Sequence, residues 1–132
     1  MAEPVNGILL DTSVVVAHLR GRIDLQSVAA ADEPLFLPLV ALGELYRGVL
    51  KSARPEFNRE KVDEFLEIAA VLSPDVATAE IYARIAQTLE IKGTPIPEND
   101  IWIAAVALEC DMPLATRDDH FRQVDRLDIL WW

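Results

Sequence analysis

The sequence predicts an α/β fold in which a mainly parallel sheet of four to five short strands is flanked by helices. Three observations carry that prediction. Short, continuous apolar runs alternate with longer stretches of helical periodicity, the rhythm of strand–helix–strand units. The runs are bounded by glycine, proline or short polar residues, which punctuate strands buried on both faces. The chain has 132 residues, of which 52% are apolar and 26% charged, enough for one core and too few for two domains. Residues 1–132 therefore read as one domain.

The first run, Gly7-Ile8-Leu9-Leu10, predicts a strand. Asp11, Thr12 and Ser13 are helix N-cap types, and a short helix through Val14, Val15, Val16 and Leu19 ends at Gly21. A second helical stretch is expected from Ile23 to Ala31. Pro34 to Pro38 predicts the next strand, and Leu42, Leu45, Tyr46 and Val49 give a helix from Leu39 to about Ala53. Pro55 interrupts it. A more charged helix from Phe57 to Ala69 follows, with Phe57, Val62, Phe65, Leu66 and Ala69 as its buried face. Val71-Leu72 predicts a brief strand. Ser73 as N-cap and Pro74 at the first helical position open a long helix to Ile91. Its apolar face is Val76, Ala79, Ile81, Tyr82, Ile85, Ala86 and Leu89, and Lys92-Gly93 ends it. After a loop with Pro95 and Pro97, Asn99-Asp100 starts a helix that is apolar nearly all round, hence central. Pro113 to Thr116 and Asp128 to Trp131 are the last strands, with a short helix around Phe121 between them. Trp131 and Trp132 are expected to pack on the domain or on a second subunit.

Composition excludes several classes. Twelve basic against 22 acidic residues give a net charge of −10, the wrong sign for a broad DNA-coating face. The single cysteine, Cys110, excludes an internal disulfide and a cysteine-rich zinc cluster. The start, Met1-Ala2-Glu3-Pro4, lacks the basic region of a secretory signal, and no apolar run approaches a membrane span. A soluble, cytoplasmic protein is expected. His18 and His120 are too separated to pair, so His18 reads as structural and His120 as a loop residue. No Gly-rich phosphate loop or nucleophile elbow is present.

The acids are more informative. Asp11 follows the first strand and Asp118 follows the fourth by two residues, where the ligand crevice of an open parallel sheet lies. Asp100 opens the buried helix, whose dipole favours an anion. Glu44 has the most apolar flank of any acid, and a lone carboxylate there needs a cation. Each also has an ordinary reading: Asp11 as a helix cap, Asp100 as a first-turn acid, Asp118 with Asp119 as a turn, Glu44 as a partner of Arg47. As a spaced set on an α/β frame they point to Mg²⁺ or Mn²⁺, which prefer carboxylate and water oxygens.

Four segments in order, Leu10-Asp11-Thr12-Ser13, Gly43 to Gly48, Ile96 to Ala105 and Ala115 to Phe121, resemble the PIN domain, and more narrowly the VapC toxins of toxin–antitoxin pairs. The resemblance spans essentially the whole chain. It implies a three-layer PIN-like fold and a metal-dependent endoribonuclease, with Asp11, Glu44, Asp100 and Asp118 as the acidic quartet. Asp11 and Asp100 would be the direct ligands of Mg²⁺ or Mn²⁺. Thr116 would support the site, with Asn99 and Asp119 around it and Asp119 an alternative fourth acid. Gly43 departs from the pattern, which more often has serine there. The resemblance further implies a homodimer and a small VapB-like antitoxin that blocks the site.

Nine of the twelve basic residues are arginine, suited to phosphate. Some of Arg20, Arg47 and Arg117 are expected to flank the crevice and meet RNA, with shape rather than general charge selecting the target. Two other readings stand beside the nuclease. One is a catalytically silent interaction module on the same fold. The other is a receiver-like phosphotransfer domain, which needs a lysine near the fourth or fifth strand; Lys51, Lys61 and Lys92 all lie elsewhere.

Overall fold

The computed structural model describes residues 6–30 and 32–132. In chain order its elements are β1 (Ile8–Leu10), α1 (Thr12–Leu19), α2 (Leu25–Val28), β2 (Leu35–Pro38), α3 (Leu39–Lys51), α4 (Pro55–Phe65), β3 (Ala70–Leu72), α5 (Val76–Lys92), α6 (Glu98–Cys110), β4 (Leu114–Thr116) and β5 (Ile129–Trp131). A 3₁₀ turn over Asp119–Gln123 precedes β5.

The five strands form one sheet in the order β3-β2-β1-β4-β5, and every pairing is parallel. The expected α/β class is correct, and the sheet is wholly parallel. β1 is central, with Ile8, Leu9 and Leu10 all buried. Gly7 precedes it at φ +155°, and a Cβ there would stand 2.5 Å from the Phe36 ring and 2.8 Å from the Pro34 carbonyl oxygen. Glycine is therefore required where β1 enters beside β2. The apolar α6 is buried over Ile101 and Ile103–Ala107, as its all-round apolar sequence implies.

The helix boundaries differ from the expectation in four places. α2 is only one turn, capped by Asp24, whose side chain accepts from the Gln26 N–H; Leu25 is its one buried residue. The expected end at Ala31 lies outside the described residues. α4 starts at Pro55, which occupies the first helical turn instead of breaking the chain. It ends at Phe65, and Phe57 is 43% exposed under the cations of Arg54 and Lys61. α5 is capped by Asp75, not Ser73. Asp75 Oδ1 accepts from the Thr78 N–H at 3.1 Å, and the Asp75 N–H donates to Thr78 Oγ1 at 2.9 Å, a reciprocal capping box. The buried face of α5 is Thr78, Ile85 and Leu89, with Val76 and Ala79 exposed. At its other end Gly93 adopts φ +72° and stops the helix.

Trp132 packs partly against the core, whereas Trp131 is 44% exposed with the Arg122 guanidinium 4.3 Å above its ring. Among the described residues, no helix is long and apolar enough to cross a membrane.

Candidate active site

The strand order reverses between β1 and β4. The chain runs outward through β2 and β3 on one side and returns through β4 and β5 on the other. In an open parallel sheet that reversal splays the loops at the carboxyl ends of the strands and leaves a crevice. Leu10 pairs with Ala115, so the residues that follow, Asp11 and Thr116, emerge side by side.

Asp11 is 4% exposed and stands at the N-cap position of α1, yet its side chain makes no capping bond. Both of its hydroxyl donors come from elsewhere. Ser13 Oγ donates to Asp11 Oδ2 at 2.7 Å, and Thr116 Oγ1 donates to the same oxygen at 2.8 Å. Each hydroxyl also accepts from the loop after β4. The Arg117 N–H donates to Ser13 Oγ at 3.0 Å, and the Asp118 N–H donates to Thr116 Oγ1 at 3.0 Å. Two hydroxyls thus tie the post-β4 loop to the post-β1 carboxylate. With Oδ2 doubly bonded, Oδ1 is left for another partner.

Asp100 lies in the first turn of α6. The start of that helix is held by Tyr82, which stacks on Trp102 at 4.2 Å between centroids and whose hydroxyl donates to Glu98. The Asp100 carboxyl is pushed up to about 6, chiefly by burial; the His120 hydrogen bond pulls it down, and the charges of Asp11 and Asp118 push it further up. Asp118 caps the 3₁₀ turn, its Oδ1 accepting from the His120 N–H at 2.9 Å. The His120 ring bridges the two acids: Nδ1 stands 3.1 Å from Asp100 Oδ2 and 3.0 Å from Asp118 Oδ1. Of the two contacts, the one to Asp100 has hydrogen-bond geometry. The Asp100 bond accordingly raises the His120 pKa.

Glu44 does not pair with Arg47. Its Oε1 accepts from Thr12 Oγ1 at 2.9 Å, so it is fixed to the residue after Asp11. Two cavities meet at this acid. One, about 370 Å³, is lined by Thr12, Arg20, Glu44, Asn58 and Lys61 among apolar residues of α1, α3 and α4. The other, about 420 Å³, is lined by Glu44, Arg47, Lys51 and Asn99.

The structure thus brings Asp100 and Asp118 into direct contact with one imidazole and sets Asp11 near enough to act on the Asp100 charge. Asn99 and Arg47 line one cavity with Glu44, and Arg20 lines the other with it. Asp119 turns away and pairs with Arg122 at 3.0 Å in solvent. Arg117 joins through its backbone, with its side chain exposed. Two residues were not legible as site residues. His120 reads as a loop residue in sequence; its signal is the spacing Asp118-x-His120, which folds both onto one turn. Lys61 is remote in sequence and reaches the cavity only because α4 packs on α3. His18 is structural, as expected: its Nδ1 accepts from the Leu25 N–H at 3.2 Å.

The donor set suits a hard divalent cation: carboxylate oxygens crowd together, and one of them resists ionisation without a positive partner. Among the described residues, Asp100, Asp118 and His120 offer ligand atoms that all lie within 4.8 Å of one another.

Comparison with known proteins agrees with this architecture. The PIN domain family model matches residues 8–127. Ribonuclease VapC5 of Mycobacterium tuberculosis is 34% identical over 124 residues, covering 92% of this chain and 90% of that protein. Toxin FitB of Neisseria gonorrhoeae is 31% identical over 121 residues, covering 84% of this chain and 87% of that one. The crystal structure of VapBC2 from Rickettsia felis, bound to a DNA fragment from their promoter, superposes with a TM-score of 0.88 at 26% identity, covering 95% of this chain and 98% of the other. With its motifs in order, its fold superposed and its length spanned, the chain belongs to the PIN domain family, among relatives of the VapC type.

Proposed function

We propose that the protein is a Mg²⁺- or Mn²⁺-dependent endoribonuclease, the toxin of a type II toxin–antitoxin pair, and that the whole chain forms one nuclease domain. The observation that carries this reading is the convergence of Asp11, Asp100 and Asp118 at the sheet's switch point, with a carboxyl among them raised to about 6. The names of the relatives supply the substrate class: several are ribonucleases of the VapC type.

Asp11 and Asp100 would hold the ion, with Glu44 and Asp118 completing the acidic quartet. A bound divalent ion supplies Lewis-acid polarisation of the phosphodiester and lowers the pKa of an attacking water. The protein's part is positioning. Thr116 and Ser13 occupy one oxygen of Asp11 and leave the other available for an ion. Thr12 holds Glu44, and the Tyr82–Trp102 stack supports the turn that carries Asn99 and Asp100. Asp118 is taken as the fourth acid in preference to Asp119, because it lies beside His120 and Asp100 whereas Asp119 pairs with Arg122 in solvent. Arg20, Arg47, Lys51 and Lys61 line the two cavities at Glu44, and together with Arg117 they would offer phosphate contacts around the acids. A VapB-like antitoxin would cover this site, in keeping with the VapBC complexes among the structural relatives, and a cytoplasmic homodimer is the expected form.

The test is cleavage of total RNA and tRNA by antitoxin-free protein, with Mg²⁺ or Mn²⁺ against EDTA and with Asp100→Asn alongside. Discrete fragments are expected only with metal and only from the native sequence, the variant falling by at least about a hundredfold. Absence of both cleavage and metal binding would instead favour the non-catalytic interaction module.

A further inference from the structure

His120 is the one member of the close three-donor group that the acidic quartet does not account for. Its ring is held from two directions. The backbone N–H donates to Asp118 Oδ1, and Nδ1 faces Asp118 Oδ1 and Asp100 Oδ2 at 3.0 and 3.1 Å. Phe121, the next residue, is fully buried and anchors the turn that carries the imidazole. The side chain itself is half-exposed, so it lies at the mouth of the crevice rather than in the core. Donor atoms about 3 Å apart have the spacing of adjacent corners of an octahedron whose ligands stand about 2.1 Å from its centre. The same spacing serves a hydrogen bond to Asp100 Oδ2 while Nδ1 is protonated; without that proton Nδ1 offers a lone pair within about 3 Å of both carboxylate oxygens.

We infer that His120 is a metal ligand of this site, through Nδ1, so that the ion is held by a nitrogen as well as by carboxylate oxygens. This rests on the metal-dependent reading above and deepens it by naming a ligand and a preference among ions. Ligation releases the Nδ1 proton to solvent and leaves the ring neutral. An all-oxygen site suits Mg²⁺, which dehydrates reluctantly; an imidazole shifts preference toward Mn²⁺ and later transition ions. Mn²⁺ should therefore bind more tightly than Mg²⁺ here, and His120 should be the reason for much of the gap.

The experiment is metal binding to the purified protein, without RNA. Titration calorimetry with Mn²⁺ and with Mg²⁺ gives the affinity ratio, and ¹⁴N electron spin echo modulation of the Mn²⁺-loaded protein reports directly bound imidazole nitrogen. His120→Asn and His120→Ala are measured beside it, with Asp100→Asn as the control for the carboxylate site. The residue is half-exposed, so both His120 variants should keep their far-UV circular dichroism. Expected are imidazole ¹⁴N modulation in the native protein, its loss in both His120 variants, and a fall in Mn²⁺ affinity of at least about tenfold with a smaller fall for Mg²⁺. Mn²⁺ bound without imidazole modulation, at an affinity unchanged by His120→Ala, would overturn the inference and leave the metal-dependent nuclease standing. Failure of the native protein to bind either ion would overturn both.

Discussion

At the scale of single residues, Thr116 links two of the acids of the proposed site. It is fully buried, donates to Asp11 and accepts from the Asp118 N–H. Thr116→Val keeps the shape, strips the Asp118 N–H of its acceptor and leaves Asp11 Oδ2 with Ser13 alone, which costs about 1–3 kcal/mol. Urea unfolding should show that loss, and RNA cleavage should fall with it because Asp11 loses a bond that orients it. Asp100 works against stability in the metal-free protein. Its folded pKa of about 6 lies above the unfolded 3.8, so the unfolded chain ionises first. Its favourable contribution is complete below about pH 4 and is lost as pH rises through 6, by about 3 kcal/mol at most. In EDTA, Asp100→Asn should therefore be the more stable protein at pH 7 in urea titrations, and the difference should vanish near pH 4.

At the scale of elements, capping decides boundaries that periodicity leaves open. Both Ser73 and Asp75 are N-cap types at the start of α5, and Pro74 favours Ser73. The structure selects Asp75 because Thr78, three residues on, returns a hydrogen bond to the Asp75 N–H. Asp75→Ala should lower stability by about 1 kcal/mol, whereas Ser73→Ala should change it by less than about 0.5 kcal/mol. Thermal unfolding of the two variants tests the choice. α4 teaches the same lesson at Pro55, which can end a helix or begin one. Its position at the first turn, where an N–H is not needed, makes it a beginning. Phe57 shows the limit of apolar pattern: two cations cover its ring at the surface, so it has no need of the core.

At the scale of the whole molecule, the functional reading predicts a coupling between folding and the ion. An ion bound by the native state alone stabilises it by about 2.7 kcal/mol at a free concentration a hundredfold above Kd. Mn²⁺ should raise the melting temperature of the native protein and leave Asp100→Asn nearly unmoved in differential scanning calorimetry. The α/β class, the strand runs and the acids at strand ends were all legible along the chain. Alternation of periodicities and the position of an acid relative to its own strand are local properties. By themselves the residues determined which acids were candidates, Asp11, Glu44, Asp100 and Asp118; Thr116 joined them only through the resemblance to the PIN domain. They did not determine who meets whom. That Thr116 bonds Asp11 across 105 positions depends on β1 and β4 being neighbours in the sheet. That Asp118 meets His120 and Asp119 meets Arg122 depends on a one-residue difference in the phase of a 3₁₀ turn. That His120 joins the acids depends on the same turn docking Phe121 into the core. Contacts between distant segments are set by packing, and only the tertiary structure could decide them.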